Sequence, residues 1–143
     1  MSQEQLLGAL SEAHDDVLIA ADMAVTRGDA HEGGWGVREV LAHIAAWEAE
    51  AVRRIPLLAQ GAADQEYDAD SFNAAAVAAL GEQPLGQVRA GLEETHARLV
   101  TLLDSLDEGA FVPGGAAHEW VAALTRHSRE HARELDGGGP HER

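Results

Sequence analysis

The sequence predicts an all-α protein in which four long amphipathic helices form a bundle and a short helix lies between the second and third. Two observations support this fold class. Hydrophobic residues make up 45% of the 143-residue chain and aromatic residues only 4%, whereas a β-sandwich would require more aromatic and β-branched residues. Apolar residues also recur at intervals of three and four along four long segments, which is the pattern of helices with one buried face.

The first two helices are predicted from their apolar faces and from the residues that end them. The first covers residues 3–25, ends near Gly28, and buries Leu6, Leu10, Ala13, Val17, Ala21 and Ala24. The second covers residues 36–60, with Gly36 as its N-cap and Pro56 expected to kink or end it. Its inward face carries Val37, Leu41, Ile44, Glu48, Ala51, Val52 and Ile55.

The remaining helices follow a linker at residues 62–67. A short helix is expected to begin at Asp70 or Ser71 and to end before Gly81. A long helix at residues 85–106 begins after Pro84 and buries Val88, Leu92, Leu99, Leu103 and Leu106. After a loop, the last helix covers residues 117–135. We expect residues 1–136 to form one domain and the Gly-rich residues 137–143 to form a flexible tail.

Charge and composition narrow the classes of partner. The chain has 25 acidic and 10 basic residues, for a net charge of −15, and every basic residue is arginine. Nucleic-acid binding is not expected, because such a chain repels phosphate backbones. No membrane-spanning run and no signal peptide are recognisable. Cysteine is absent, which excludes thiolate ligands and nucleophiles from the chain and is consistent with a cytoplasmic protein.

The last helix carries the strongest functional pattern. Its inward face contains Trp120, Leu124, His127, Ser128, His131 and Leu135. His127 and His131 are four residues apart, the spacing at which one helix offers two nitrogens to a metal ion. A histidine pair near a helix C-terminus is also common on protein surfaces, but the apolar neighbours favour a buried pair. His43, on the second helix, would complete three nitrogen ligands and leave one position open, as in catalytic zinc sites.

Other inward polar residues allow more than one interpretation. Glu48 is predicted at the centre of an apolar face, as a general base, a partner of a ligand imidazole, or one half of a structural ion pair. His14 and His96 are expected to be hydrogen-bonded core histidines, with roles as substitute ligands or pocket walls as the alternative. Trp47 and Trp120 are expected to be packing residues, with lining of an apolar pocket near the metal as the alternative, and at least one tryptophan is predicted to line that pocket. Asn73, with Tyr67 and Phe72, could cover that pocket.

Two segments carry a resemblance to a known family. Residues 35–48 (WGVREVLAHIAAWE) and 127–131 (HSREH) resemble the DinB-like (YfiT-like) superfamily of four-helix-bundle metalloenzymes, and the order of helices agrees along essentially the whole chain. The stretch at residues 67–73 is similar to the ClbS/DfsB branch. The chain departs from the family pattern in having Gly36 where a hydroxyl N-cap is usual. We also expect no appended second domain, in contrast to full mycothiol-dependent maleylpyruvate isomerases.

The resemblance implies a divalent metal, with zinc or nickel expected, held by His43, His127 and His131, a nearby pocket, and often a homodimer. It also implies chemistry on a small electrophile, in some relatives with a low-molecular-weight thiol such as mycothiol, or ring opening of a reactive metabolite as in the ClbS-like branch. We therefore carry three hypotheses. The chain is a metal-dependent transferase, isomerase or hydrolase; a protein that sequesters a toxic metabolite; or a bundle whose inward histidines are purely structural.

Overall fold

A computed structural model describes residues 2–28 and 35–137, and in these ranges all regular structure is helical. The long helices are α1 (Gln3–Arg27), α2 (Val37–Ala59), α4 (Leu85–Ser105) and α5 (Ala116–Leu135), and the short helix is α3 (Ala69–Ala78). A 3₁₀ helix (Glu108–Phe111) precedes α5. The all-α prediction, with a short helix between the second and third long helices, is therefore confirmed. Residues 29–34, between the first two predicted helices, and residues 138–143 of the predicted tail lie outside the described residues.

The bundle has an up-down-down-up order. α1 packs mainly on α5 and α2 mainly on α4, while α2 also contacts α5 and α1 also contacts α4. Gln3, at the start of α1, donates hydrogen bonds to the Leu103 and Leu106 carbonyls at the end of α4, so these helices are antiparallel. Arg27, at the end of α1, donates to the Leu135 carbonyl at the end of α5, so that pair is parallel.

The segment that contains α3 explains how α2 and α4 come to be parallel neighbours. A parallel pair in a bundle requires a long crossover connection, because the chain must return along the length of the first helix. Asp68 begins α3 by accepting a hydrogen bond from the Ser71 N–H. The observed N-cap therefore precedes the predicted one, Asp70 or Ser71, by two or three residues. The sequence could not decide between them, because Asp68, Asp70 and Ser71 all have side chains suited to an N-cap.

The predicted inward faces are buried with few exceptions. On α1, all six predicted residues have at most 3% of their surface exposed. Val52, Leu106, Trp120 and His127 are only partly buried. Pro56 does not end α2, which continues to Ala59. Gly36 is the N-cap of α2, and the Glu39 carboxylate accepts a hydrogen bond from its N–H at 2.9 Å. This contact replaces part of what a hydroxyl N-cap would supply.

The apolar core consists of two clusters, one towards each end of the bundle. One contains the C-terminal half of α1 and the N-terminal halves of α2 and α4, together with Ala132 and Leu135 of α5. The other contains the opposite ends of these helices and Phe111 of the 3₁₀ helix. Polar side chains lie between the two clusters, and they include the residues from which functional sites could be built.

Candidate metal centre

Three histidine side chains meet between the neighbouring helices α2 and α5. Nε2 of His127 lies 2.6 Å from Nε2 of His43 and 3.1 Å from Nε2 of His131. One nitrogen from each residue falls within a group whose members are all within 4.8 Å of one another. His43 and His131 are buried and His127 is partly buried. The residues predicted to share a site therefore lie together, in an arrangement that could hold a metal ion.

The donor set fits a divalent metal. Zn–N bonds of about 2.0–2.1 Å at tetrahedral angles would separate two ligand nitrogens by roughly 3.3 Å. The observed separations of 2.6 and 3.1 Å are somewhat shorter, as expected for nitrogens that hydrogen-bond to one another rather than to an ion. Nε2 of His127 contacts the Nε2 atoms of both other rings, and one ring nitrogen of a neutral imidazole carries either a single N–H or a single lone pair. A cation bound by the three nitrogens would use all three lone pairs.

The electrostatic surroundings favour the protonation states that a metal requires. Nδ1 of His131 lies 3.0 Å from Oε1 of Glu134, and a carboxylate that accepts the Nδ1 proton leaves the Nε2 lone pair directed at the other histidines. Burial lowers the pKa of His127, while the charges of Glu130 and Glu134 oppose that shift. At neutral pH the His127 side chain is therefore neutral, the form that binds a metal.

A cavity of about 460 Å³ adjoins the histidines, and His127 is one of the residues that line it. The other lining residues are Trp47, Asp64, Ala116, Glu119, Trp120, Ala123 and Leu124. Its volume is within the usual range for small-molecule sites, and its wall is mainly apolar with a few polar groups, which is typical of such sites. A small molecule in this cavity would lie beside His127, one member of the three-histidine group.

The tryptophan side chains that form the cavity wall are held by hydrogen bonds. Nε1 of Trp47 donates to Oδ1 of Asn73 on α3, and Nε1 of Trp120 donates to Oδ2 of Asp64, both at 2.8 Å. Asn73 thus positions a wall residue, whereas the described lining residues do not include it. Phe72 packs on Trp47 with ring centroids 4.0 Å apart. The short helix therefore supports one side of the cavity, and the covering of the pocket by Asn73, Tyr67 and Phe72 stays a prediction.

The linker between α2 and α3 contributes Asp64, which periodicity could not assign to the site. Arg54 of α2 is 8% exposed and donates to the Ala63 carbonyl at 2.9 Å. Its guanidinium also lies 3.4 Å from the Asp64 carboxylate. This inward arginine holds the linker against the bundle and places Asp64 at the cavity. Glu119 and Ala123 were also missed, because they lie on α5 beside the predicted inward face.

Glu48 does not belong to the three-histidine group and lies in the interior beside His96. It is fully buried and its Oε1 is 3.0 Å from Nδ1 of His96. The ring of His96 stacks on that of His14, with centroids 3.8 Å apart. Both histidines are buried, as predicted, but they form a separate group with Glu48. The described residues that line the cavity do not include Glu48, and its predicted role as a base stays a prediction.

A four-helix bundle with a three-histidine group between its second and last long helices defines a class of proteins that could hold a metal beside a small-molecule cavity. The chain matches the DinB superfamily over residues 1–135, and it belongs to that superfamily. No curated protein and no solved structure gave a significant match. Membership of the ClbS/DfsB branch stays a prediction. Within the described residues, no helix is both long and apolar enough to span a membrane.

Proposed function

We propose that this protein binds a divalent metal, zinc or nickel, through His43, His127 and His131 and converts a small electrophilic molecule held in the adjacent cavity. The observation that carries the proposal is that His127 belongs both to the three-histidine group and to the cavity wall. When bound, such a metal supplies Lewis acidity to an oxygen or sulfur atom at its open coordination position.

The cavity suggests the kind of molecule that would bind. Trp47 and Trp120 offer flat apolar surfaces to a compact organic group. Asp64 and Glu119 add carboxylates to the wall, and the whole chain carries a net charge of −15. These charges would repel anions, so we expect a neutral or cationic substrate.

Because the chain has no cysteine, any thiol in the reaction must be a small molecule, and a low-molecular-weight thiol such as mycothiol is our proposal. With a strained three-membered ring as substrate, the sulfur would bond to a ring carbon and the ring bond to the leaving atom would break. The thiol proton would end on that leaving atom. In hydrolysis, water would replace the thiol.

A second candidate function is binding without turnover, in which the protein sequesters a reactive metabolite. One observation favours it. Glu48, the predicted base, is not among the described lining residues, and the lining carboxylate of Asp64 is already engaged by Trp120. A cavity that the predicted general base does not line is suited to retaining a molecule rather than converting it.

The two functions can be separated by measuring product per protein molecule. Metal-reconstituted protein would be incubated with neutral epoxides and activated alkenes, with and without a small thiol, and products would be counted by mass spectrometry. Catalysis predicts many products per protein, and His127→Ala should abolish them while circular dichroism shows an intact helical fold. The control is His118→Ala on the same helix, which lies outside the three-histidine group.

An unchanged rate in His127→Ala would contradict the enzymatic proposal. Protection that stops at one molecule per protein would instead support sequestration.

A further inference from the structure

A polar layer crosses the middle of the bundle, between the two apolar clusters. On each of three helices, one polar residue occupies a position that periodicity assigns to the core. The polar residue follows a buried apolar residue by four positions and precedes another by three. These sets are Leu10, His14 and Val17 on α1, Ile44, Glu48 and Ala51 on α2, and Leu92, His96 and Leu99 on α4.

The three polar side chains of this layer contact one another inside the protein. Glu48 is 0% exposed, His96 7% and His14 8%. Nδ1 of His96 lies 3.0 Å from Oε1 of Glu48, and its Nε2 lies 3.3 Å from Oγ of Ser11. The rings of His14 and His96 are parallel to within 1°. One ligand atom from each of the three residues lies within 4.8 Å of the other two.

Two polar atoms of the layer lack a hydrogen-bond partner among the described residues. They are Oε2 of Glu48 and Nδ1 of His14, and both are buried. Leaving a buried polar atom unsatisfied costs about 1–3 kcal/mol, and more when the group is charged. An apolar side chain at these positions would avoid that cost. The retained carboxylate and imidazoles therefore indicate a missing partner that accepts lone pairs from oxygen and nitrogen.

We propose that His14, Glu48 and His96 form a second divalent-metal site, separate from the three-histidine group. Two imidazoles and one carboxylate are a donor set used by zinc and by ferrous iron. A cation would bind Oε2 of Glu48 and Nδ1 of His14 and would neutralise the buried carboxylate. His96 would join them by exchanging its contact with Oε1 of Glu48 for the cation.

The two sites would share α2 but would not share a ligand. His43 and Glu48 are five residues apart, which at 100° per residue directs them to sides of the helix roughly 140° apart. His43 faces α5, whereas Glu48 meets His14 of α1 and His96 of α4. Metal binding in the layer would connect three of the four long helices and would stabilise the fold in proportion to the affinity.

The test is a count of bound metal in two variants and in the wild type. Metal-free protein would be dialysed for long periods against zinc, because the layer is buried, and protein-bound zinc would be measured by elemental mass spectrometry. We expect about two equivalents in the wild type and about one in the double variant His127→Ala, His131→Ala, in which only the layer remains. Glu48→Gln, which preserves volume but removes the charge, should also retain about one.

The double variant makes the proposal testable even if substitutions in the layer prevent folding. Zinc should raise the thermal unfolding temperature of the double variant, and cobalt(II) should give it a coordination spectrum. If the folded double variant binds no metal, the second site is refuted, whatever Glu48→Gln does. Two equivalents bound by folded Glu48→Gln would refute it as well. Failure of the three-histidine site would be seen separately, as an unchanged metal count in the double variant relative to the wild type.

Discussion

The carboxylate of Glu134 should determine how tightly the three-histidine group holds a metal. It lies 3.0 Å from Nδ1 of His131, with 23% of its side chain exposed. Removing such a partner of a ligand histidine typically lowers metal affinity by about 10- to 100-fold, or roughly 1.4–2.7 kcal/mol. We predict a loss in this range for Glu134→Ala, because the His131 ring would lose the group that fixes its orientation and its proton position.

Glu130→Ala is the matched control for this prediction. Glu130 and Glu134 both exert a charge effect on His127, but Glu130 is exposed and the bond to His131 comes from Glu134. An exposed charge contributes at most about 1 kcal/mol, so the control should lose less than about fivefold in affinity. Zinc affinity would be measured by competition with a chromophoric chelator. The affinity compared is that of the three-histidine site, which is identified as the zinc binding that is lost in His127→Ala. Equal losses in the two variants would show that charge alone acts, and would refute the positioning role.

Two further predictions concern the space around two glycines and the ionisation of the single tyrosine. Gly91→Ala should raise the free energy of unfolding by about 0.5–1 kcal/mol, because an added Cβ there has no neighbour within 4 Å. Gly115→Ala should lower the free energy of unfolding, because its Cβ would lie 3.0 Å from the Val112 carbonyl oxygen. Chemical denaturation measures both values, and a stabilised Gly115→Ala would contradict the packing. Burial and the hydrogen bond to Glu50 raise the pKa of Tyr67, the sole tyrosine, above its ordinary value of 10.0. The stabilising contribution of the phenol is thus present below pH 10 and is lost as pH rises through the folded-state pKa. Ultraviolet absorbance should show no ionisation near pH 10 while the protein is folded, and an ordinary titration there would contradict the assignment.

Helical periodicity was sufficient to predict the four long helices and most of their buried faces. The positions of Leu10, Leu41 and Leu99 follow from spacing alone, because each helix must turn its apolar side to the core. Periodicity was less informative for α3, which has no fully buried residue, and for Pro56, which lies inside a helix that tertiary packing extends to Ala59. The homodimer and the division into domain and tail stay predictions.

Which inward residues meet depends on the direction and the relative position of the packed helices. The pattern within each helix does not predict either of these. His14, Glu48 and His96 were each predicted to face inward, but their meeting in one layer requires α4 to run parallel to α2. That direction follows from the length of the crossover, not from any helix by itself. The three-histidine group was predicted from the four-residue spacing of His127 and His131 and from the position of His43, and the resemblance then joined the same segments on α2 and α5. Neither helical periodicity nor the family resemblance could place Asp64 at the cavity, because its position depends on the contacts of Arg54 with the linker.

The central claim is that His43, His127 and His131 hold a divalent metal, and metal content tests it most directly. Untagged wild-type protein, His131→Ala and the control His118→Ala would be analysed by elemental mass spectrometry, as purified and after reconstitution with zinc and nickel. We predict that His131→Ala loses about one equivalent of metal relative to the wild type and that His118→Ala loses none. A wild type that binds no metal after reconstitution, or a folded His131→Ala with unchanged metal content, would contradict the claim.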